Sequence, residues 1–149
     1  MTAQPAILVV EDNPDDVLLL QRAFRRANLP NPLHIVGDGQ AALDYLSGAP
    51  PYSDRAAYPV PGLILLDLKL PKRTGHEVLQ WIRAQPGLRR VPVTVLTTSR
   101  ESPDVNRAYD LGANSYLTKP IEFDGLIALV TTLQQYWMTM NERPDLRNA

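Results

Sequence analysis

A doubly wound α/β fold, one parallel sheet of five strands flanked by five helices, is the class this sequence predicts. Three observations lead there. Ala6-Ile7-Leu8-Val9-Val10 and Leu63-Ile64-Leu65-Leu66 are unbroken apolar runs too short for helices, as strands buried on both faces are. Segments with helical spacing alternate with strand-like runs along the whole chain, which calls for crossover connections and therefore parallel strands. Polar residues follow the strands at their carboxyl ends, where parallel sheets bind ligands: Glu11 and Asp12, Asp67, Thr97 and Lys119.

Each element has its own signal. After the first strand, Asn13 suits an N-cap, Pro14 the first helical position, and Asp15 and Asp16 the positive end of a helix dipole. Val17, Leu18, Leu20, Phe24 and Leu29 then recur at helical spacing until Asn28-Leu29-Pro30 stops the helix. Leu33 to Val36 reads as a second strand. Asp38 caps a helix over Gln40 to Leu46 that ends at Ser47-Gly48. Residues 49–62, with Pro50, Pro51, Pro59 and Pro61, form a loop long for this fold; it reads as a tolerated surface insertion, with a partner contact through Tyr52 and Tyr58 as the alternative. The third strand ends on Asp67, and a helix from Gly75 to Arg83 follows, with Val78, Leu79 and Ile82 inward. Val91 to Leu96 is the fourth strand. Ser102 is the expected cap of a helix with Pro103 at its first position, closing at Gly112. Ser115 to Thr118 is the fifth strand, and the last helix is expected from about Glu122 to Met140. In the strand order 2-1-3-4-5, the flavodoxin-like one, strands one, three, four and five are consecutive neighbours, so their terminal residues converge.

The 149 residues suffice for one domain, taken as 1–149 with its core at about 6–140 and a polar tail at 141–149. A 44% apolar and 21% charged composition excludes a disordered chain. The net charge of −1 gives no field that would attract nucleic acid or an anionic membrane, and neither is an expected partner. The chain has no cysteine, which rules out disulfides, thiolate metal sites and thiol catalysis. Residues 1–5 lack the features of a signal peptide, and no uncharged run is long and apolar enough to span a bilayer. A cytoplasmic location is expected.

Glu11, Asp12 and Asp67 brought together raise one another's pKa unless a cation intervenes. Oxygen donors without His or Cys point to Mg2+ or Mn2+. A lysine adds a point charge for a phosphate, a threonine a hydroxyl donor, and a carboxylate is itself able to accept a phosphoryl group. Taken singly, Glu11 and Asp12 also fit helix-start acids, Tyr116 a half-buried strand aromatic, and Lys119 and Thr97 ordinary polar residues. His34 and His76 stand away from the strand ends and read as bystanders.

The chain resembles the receiver domain of two-component response regulators over roughly residues 6–140. The resemblance rests on Val10-Glu11-Asp12, Leu66-Asp67, Pro71 with Gly75, Leu96-Thr97 and Tyr116-Leu117-Thr118-Lys119-Pro120, in order and correctly spaced. It implies that Asp67 is the phosphoacceptor, served by a sensor histidine kinase. It implies that Asp12 holds Mg2+ directly, Glu11 through water, and the Lys69 backbone carbonyl as a further ligand. Thr97 would be the hydroxyl that moves onto the phosphoryl group, Tyr116 the aromatic that turns inward behind it, and Lys119 the phosphoryl partner, with a cis Lys119-Pro120 bond. Thr98, where the family usually has a smaller residue, and Lys69, a cation beside the acceptor, are departures. Lys69 stands where aspartyl-phosphate phosphatases carry a second acid, which speaks against that activity; the chain is expected to be a phosphoacceptor and not an enzyme. A phosphate-independent adaptor is the alternative.

Only residues 141–149 follow the last helix, so output is expected through a protein surface. Phe123, Leu126, Ile127, Val130 and Trp137 form one apolar face of that helix, and Leu129, Leu133, Tyr136 and Met140 widen it beyond one sheet contact. A homodimer with Tyr136 and Trp137 near its seam is expected. The proline-rich loop and the Gln-Tyr-Trp of the last helix are similar to single-domain receivers paired with bacterial phytochrome kinases.

Overall fold

The computed structural model describes residues 4–146. Strands β1 (Ile7–Val10), β2 (Leu33–Val36), β3 (Leu63–Leu66), β4 (Val93–Thr97) and β5 (Ser115–Thr118) alternate with helices α1 (Pro14–Arg26), α2 (Gly39–Ser47), α3 (Gly75–Ala84), α4 (Ser102–Asp110) and α5 (Phe123–Leu133). The sheet runs β2-β1-β3-β4-β5 with every pair parallel. Register decides what meets at its carboxyl edge. Val10 pairs with Leu66, so Glu11 and Asp67 emerge level; Leu66 pairs with Val95 and Thr97 with Thr118, which puts Thr97 one step and Lys119 two steps further along.

The period of two along each strand splits the core. Leu8, Val10, Ile64, Leu66 and Val93 face α2 and α3, while Ile7, Val9, Leu63 and Leu65 face α1 and α5. Each such side chain contributes roughly 1.5–3 kcal/mol over its exposed state, and that central reserve lets the edge carry a crowd of carboxylates.

Local chemistry sets the helix starts. Asn13 Oδ1 accepts from the Asp15 and Asp16 amides, with Pro14 beside it in the first turn. Asp38 Oδ1 accepts from the Ala41 amide at 2.7 Å, and Gly48, at φ 74°, closes α2. Thr74 and Glu77 form a capping box on α3.

Four expectations change. β4 begins at Val93 rather than Val91, because Pro92 has no amide to give the ladder and Val91 N–H turns back to Leu88. Ser102 is not the cap of α4 but its first residue: Glu101 stands at the cap position without a side-chain bond, and Ser99 and Asp104 organise the start instead, Ser99 Oγ donating to Asp104 Oδ2 at 2.6 Å. The last helix is not α-helical to Met140. It passes at Gln134 into a π-helical segment, Gln134–Met140, directly after Thr131 and Thr132 return their hydroxyls to the Ile127 and Ala128 carbonyls. Among the described residues the cis peptide bond is Pro50-Pro51, so Lys119-Pro120 is not cis.

The loop at 49–62 is neither a loose insertion nor a free partner surface. Tyr58 meets both Tyr52 and buried Tyr45 edge-on, Tyr52 lies tilted on Tyr45, and His34 stands beside them. Arg55 donates to the carbonyls of Tyr45, Leu46 and Tyr58, completing the C-terminus of α2. The polar tail also docks: Leu146 packs on the α2–α3 side of the core, and Arg90 donates to the Asp145 carbonyl. Residues 147–149 of the expected tail and 1–3 of the expected leaderless start lie outside the described residues.

Candidate functional site

Asp67 leaves β3 into a turn that Gly75 makes possible. A Cβ on Gly75 would stand 2.2 Å from the Asp67 carbonyl oxygen, so α3 starts against the acceptor segment only because position 75 has no side chain. The carboxylate is buried and well held. Oδ1 accepts from Thr97 Oγ1 and the Leu68 amide, each at 2.7 Å, and Oδ2 accepts from Lys119 Nζ at 2.9 Å.

Lys119 is the hub. Besides Asp67, its ammonium donates to Glu11 and, at 2.9 Å, to Asp16. Burial alone would lower the lysine, but Glu11, Asp67 and Asp16 hold it above its ordinary value, and it stays charged. Glu11, 6% exposed, is pushed up to about 8 by burial and by Asp67 beside it, with Lys119 only partly opposing. Burial also acts to raise Asp67, yet hydrogen bonds from Glu11, Lys119 and Thr97 outweigh it and hold Asp67 below the ordinary carboxylate range. Burial and Asp67 thus push the Glu11 carboxyl upward, while Asp67 is held toward its charged form.

Glu11, Asp12 and Asp67 each offer a carboxylate oxygen within 4.8 Å of the others, and Asp12 is exposed at the mouth. The donor set is all hard oxygen, and three carboxylates this close repel one another unless a cation stands between them. The residues fit a divalent cation. Lys69 lines the same hollow as Asp12, together with Pro71, Thr74, His76 and Asp104.

Tyr116 is half-buried against Leu68, Val95 and Ala108, and its hydroxyl donates to the Ser99 carbonyl at 2.9 Å. The resemblance makes Thr97 the hydroxyl that moves onto the phosphoryl group and Tyr116 the aromatic that turns inward behind it. Thr97 gives its hydroxyl to Asp67 and Tyr116 gives its own to the Ser99 carbonyl. Thr98 is exposed and leaves that path clear.

The sequence reading missed Asp16, assigning it to the helix dipole alone. The available signal was spacing: Asp12 and Asp16, four apart at a helix start, share one face. His76 is buried with Nε2 3.1 Å from the Asp104 carbonyl, and His34 lies in the tyrosine cluster; neither joins Asp67.

The expected dimer residues are not together. Leu133 is buried in the chain's own core and is not a docking residue, since the α1–α5 packing claims it. Leu129 and Trp137 are half-buried against the same core. Tyr136 and Met140 stand out, 54% and 76% exposed, with Tyr136 T-stacked on Trp137.

Known proteins share this arrangement. The family profile described as response regulator receiver domain matches residues 7–131. The probable methanogenesis regulatory protein FilR2 of Methanothrix harundinacea is 43% identical over 138 residues, 93% of this chain and 86% of FilR2. Response regulator Rcp1 of Synechocystis is 41% identical over 132 residues, 89% of this chain and 88% of its own length. The crystal structure of Mn2+-bound Rcp1 aligns with a TM-score of 0.83 at 39% identity, over 94% of this chain and 99% of that one. The phosphorylated cyanobacterial phytochrome response regulator RcpA aligns with a TM-score of 0.88 at 38% identity, over 96% of this chain and all of that one. With the profile spanning most of the chain and the fold shared over nearly all of it, the chain belongs to the response regulator receiver domain family.

Proposed function

We propose that this chain is a single-domain response regulator that accepts a phosphoryl group on Asp67 from a phosphohistidine of a sensor kinase. One observation carries the reading: Asp67 is held ionised in a buried position with an ammonium on one oxygen and a hydroxyl on the other. An ionised oxygen of Asp67 forms a bond to phosphorus while the phosphorus–nitrogen bond breaks. The imidazole leaves with the electron pair and takes up a proton, and Asp67 becomes an acyl phosphate. Thr97 and Lys119 meet the charge on the phosphoryl oxygens. Glu11, Asp12 and Asp67, with the Lys69 carbonyl, would hold Mg2+ or Mn2+, whose charge neutralises the phosphoryl group during transfer. The chain transforms no separate substrate; transfer and loss of the phosphate are its own reactions.

Incubation with Mg2+ and acetyl phosphate should add one phosphoryl mass to the wild type and none to Asp67→Asn. No adduct with any donor would favour a phosphate-independent adaptor.

The likeness to RcpA supports a bacterial phytochrome kinase as the donor. No helix among the described residues is long and apolar enough to cross a membrane. Transfer measured against a panel of kinase dimerisation domains should favour phytochrome kinases by at least about tenfold, or some 1.4 kcal/mol; an equal or better rate from an unrelated kinase defeats the pairing. The exposed Tyr136 and Met140 support a homodimer through the π-helical end of the last helix. Sedimentation should show a wild-type dimer that Tyr136→Asp and Met140→Asp dissociate; a wild-type monomer with and without phosphate defeats it.

A further inference from the structure

Lys119 has three N–H donors and three carboxylate partners, Glu11, Asp16 and Asp67. Two of the three, Glu11 and Asp67, also belong to the trio that fits a divalent cation; Asp16 does not. Glu11 and Asp67 would be shared with a cation held by that trio, which would add positive charge beside the ammonium. Lys119 then keeps one partner with no competing duty. Asp16 is well placed for the task. It lies in the first turn of α1, where Asn13 Oδ1 accepts from its amide at 3.3 Å, and its side chain is 36% exposed, outside the trio.

We propose that Asp16 is a positioning residue that keeps Lys119 over Asp67 once a divalent cation has claimed the other two carboxylates. The proposal deepens the phosphoacceptor reading, and it rests on that reading for its consequence but not for its test. The test is the reactivity of the Lys119 amine toward reductive methylation, followed by peptide mass spectrometry with and without Mg2+. Without Mg2+, wild type and Asp16→Ala should protect Lys119 equally, because Glu11 and Asp67 still hold it. With Mg2+, the wild type should stay protected while Asp16→Ala reacts about tenfold faster, the factor expected for losing one charge-assisted hydrogen bond. Asp16→Glu should restore protection. Unchanged rates at exposed Lys72 report that the variants are folded. Equal protection of Lys119 in Asp16→Ala with Mg2+, or deprotection already without Mg2+, overturns the proposal.

A second readout separates positioning from general damage. Asp16→Ala should slow acetyl phosphate loading of Asp67 by about the same factor and add nothing in a Lys119→Met background. Additive losses overturn the proposal. If the wild type takes up no phosphate, the phosphoacceptor reading fails, and the methylation result still decides the role of Asp16.

Discussion

Replacing Gly75 by alanine should dismantle the acceptor without altering any group on it. The new Cβ would lie 2.2 Å from the Asp67 carbonyl oxygen and 2.6 Å from Leu68 Cα, and both obstacles are backbone. Neither side is free to give. The start of α3 is clamped by the Thr74–Glu77 capping box, the Gly75 amide donates to the Leu68 carbonyl at 2.8 Å, and Val78, Leu79 and Ile82 anchor the helix in the core. Forcing a methyl group into a packed site costs about 1–3 kcal/mol, and straining the amide bond adds about 1 kcal/mol. A total of roughly 2–4 kcal/mol lowers the melting temperature of a chain this size by about 5–15 °C. The function should suffer more than the fold, since a displacement of about 1 Å at reacting groups costs on the order of a hundredfold in rate. Thermal melts and acetyl phosphate loading of Asp67 check both effects. Gly37→Ala is the control, because a Cβ there meets no atom within 4 Å. A Gly75→Ala protein that melts and loads like the wild type would refute the reasoning.

Glu11 supplies a pH signature. Its folded pKa of about 8 lies above its ordinary 4.5, so its contribution to stability is full below that ordinary value and is lost as pH rises toward 8. Urea titrations without metal should show the wild type losing about 1–3 kcal/mol between pH 6 and 9 that Glu11→Gln retains, after allowance for the opposing pull of Lys119. Asp67, held low, works the other way and loses its contribution only in acid, as pH falls through its folded pKa. Mg2+ at a hundredfold excess over its dissociation constant should return about 2.7 kcal/mol to the wild type and distinctly less to Glu11→Gln; parallel curves for the two proteins would contradict the assignment. Arg55→Ala strips three carbonyl partners from the end of α2 and the loop, at a cost of about 2–3 kcal/mol. Limited proteolysis should then cut within residues 49–62 while Asp67 loads normally; an uncut loop would show that the tyrosine cluster alone holds it.

Much of this molecule was legible because its signals are local. Apolar runs long enough for strands and too short for helices, caps such as Asn13 and Asp38, and the polar residue after each strand are properties of neighbouring residues. They settle the class, the strand order and the convergence of Glu11, Asp67, Thr97 and Lys119. What stayed hidden depends on groups far apart in sequence competing for one partner. Asp16 reads as a helix-start acid until Lys119, more than a hundred residues away, is seen to hold it. The upward push on the Glu11 carboxyl exists only where burial and Asp67 coincide. The loop at 49–62 looked loose because nothing in its own residues announces that Arg55 completes another helix. The π-helical turn rotated the last side chains off the stripe that an α-helical period of about 100° per residue assigns them. Register brought the reactive groups together, and tertiary contact decided which of them is pushed toward its neutral form and which hold the lysine, because charge and burial are properties of the assembled edge and not of any one segment.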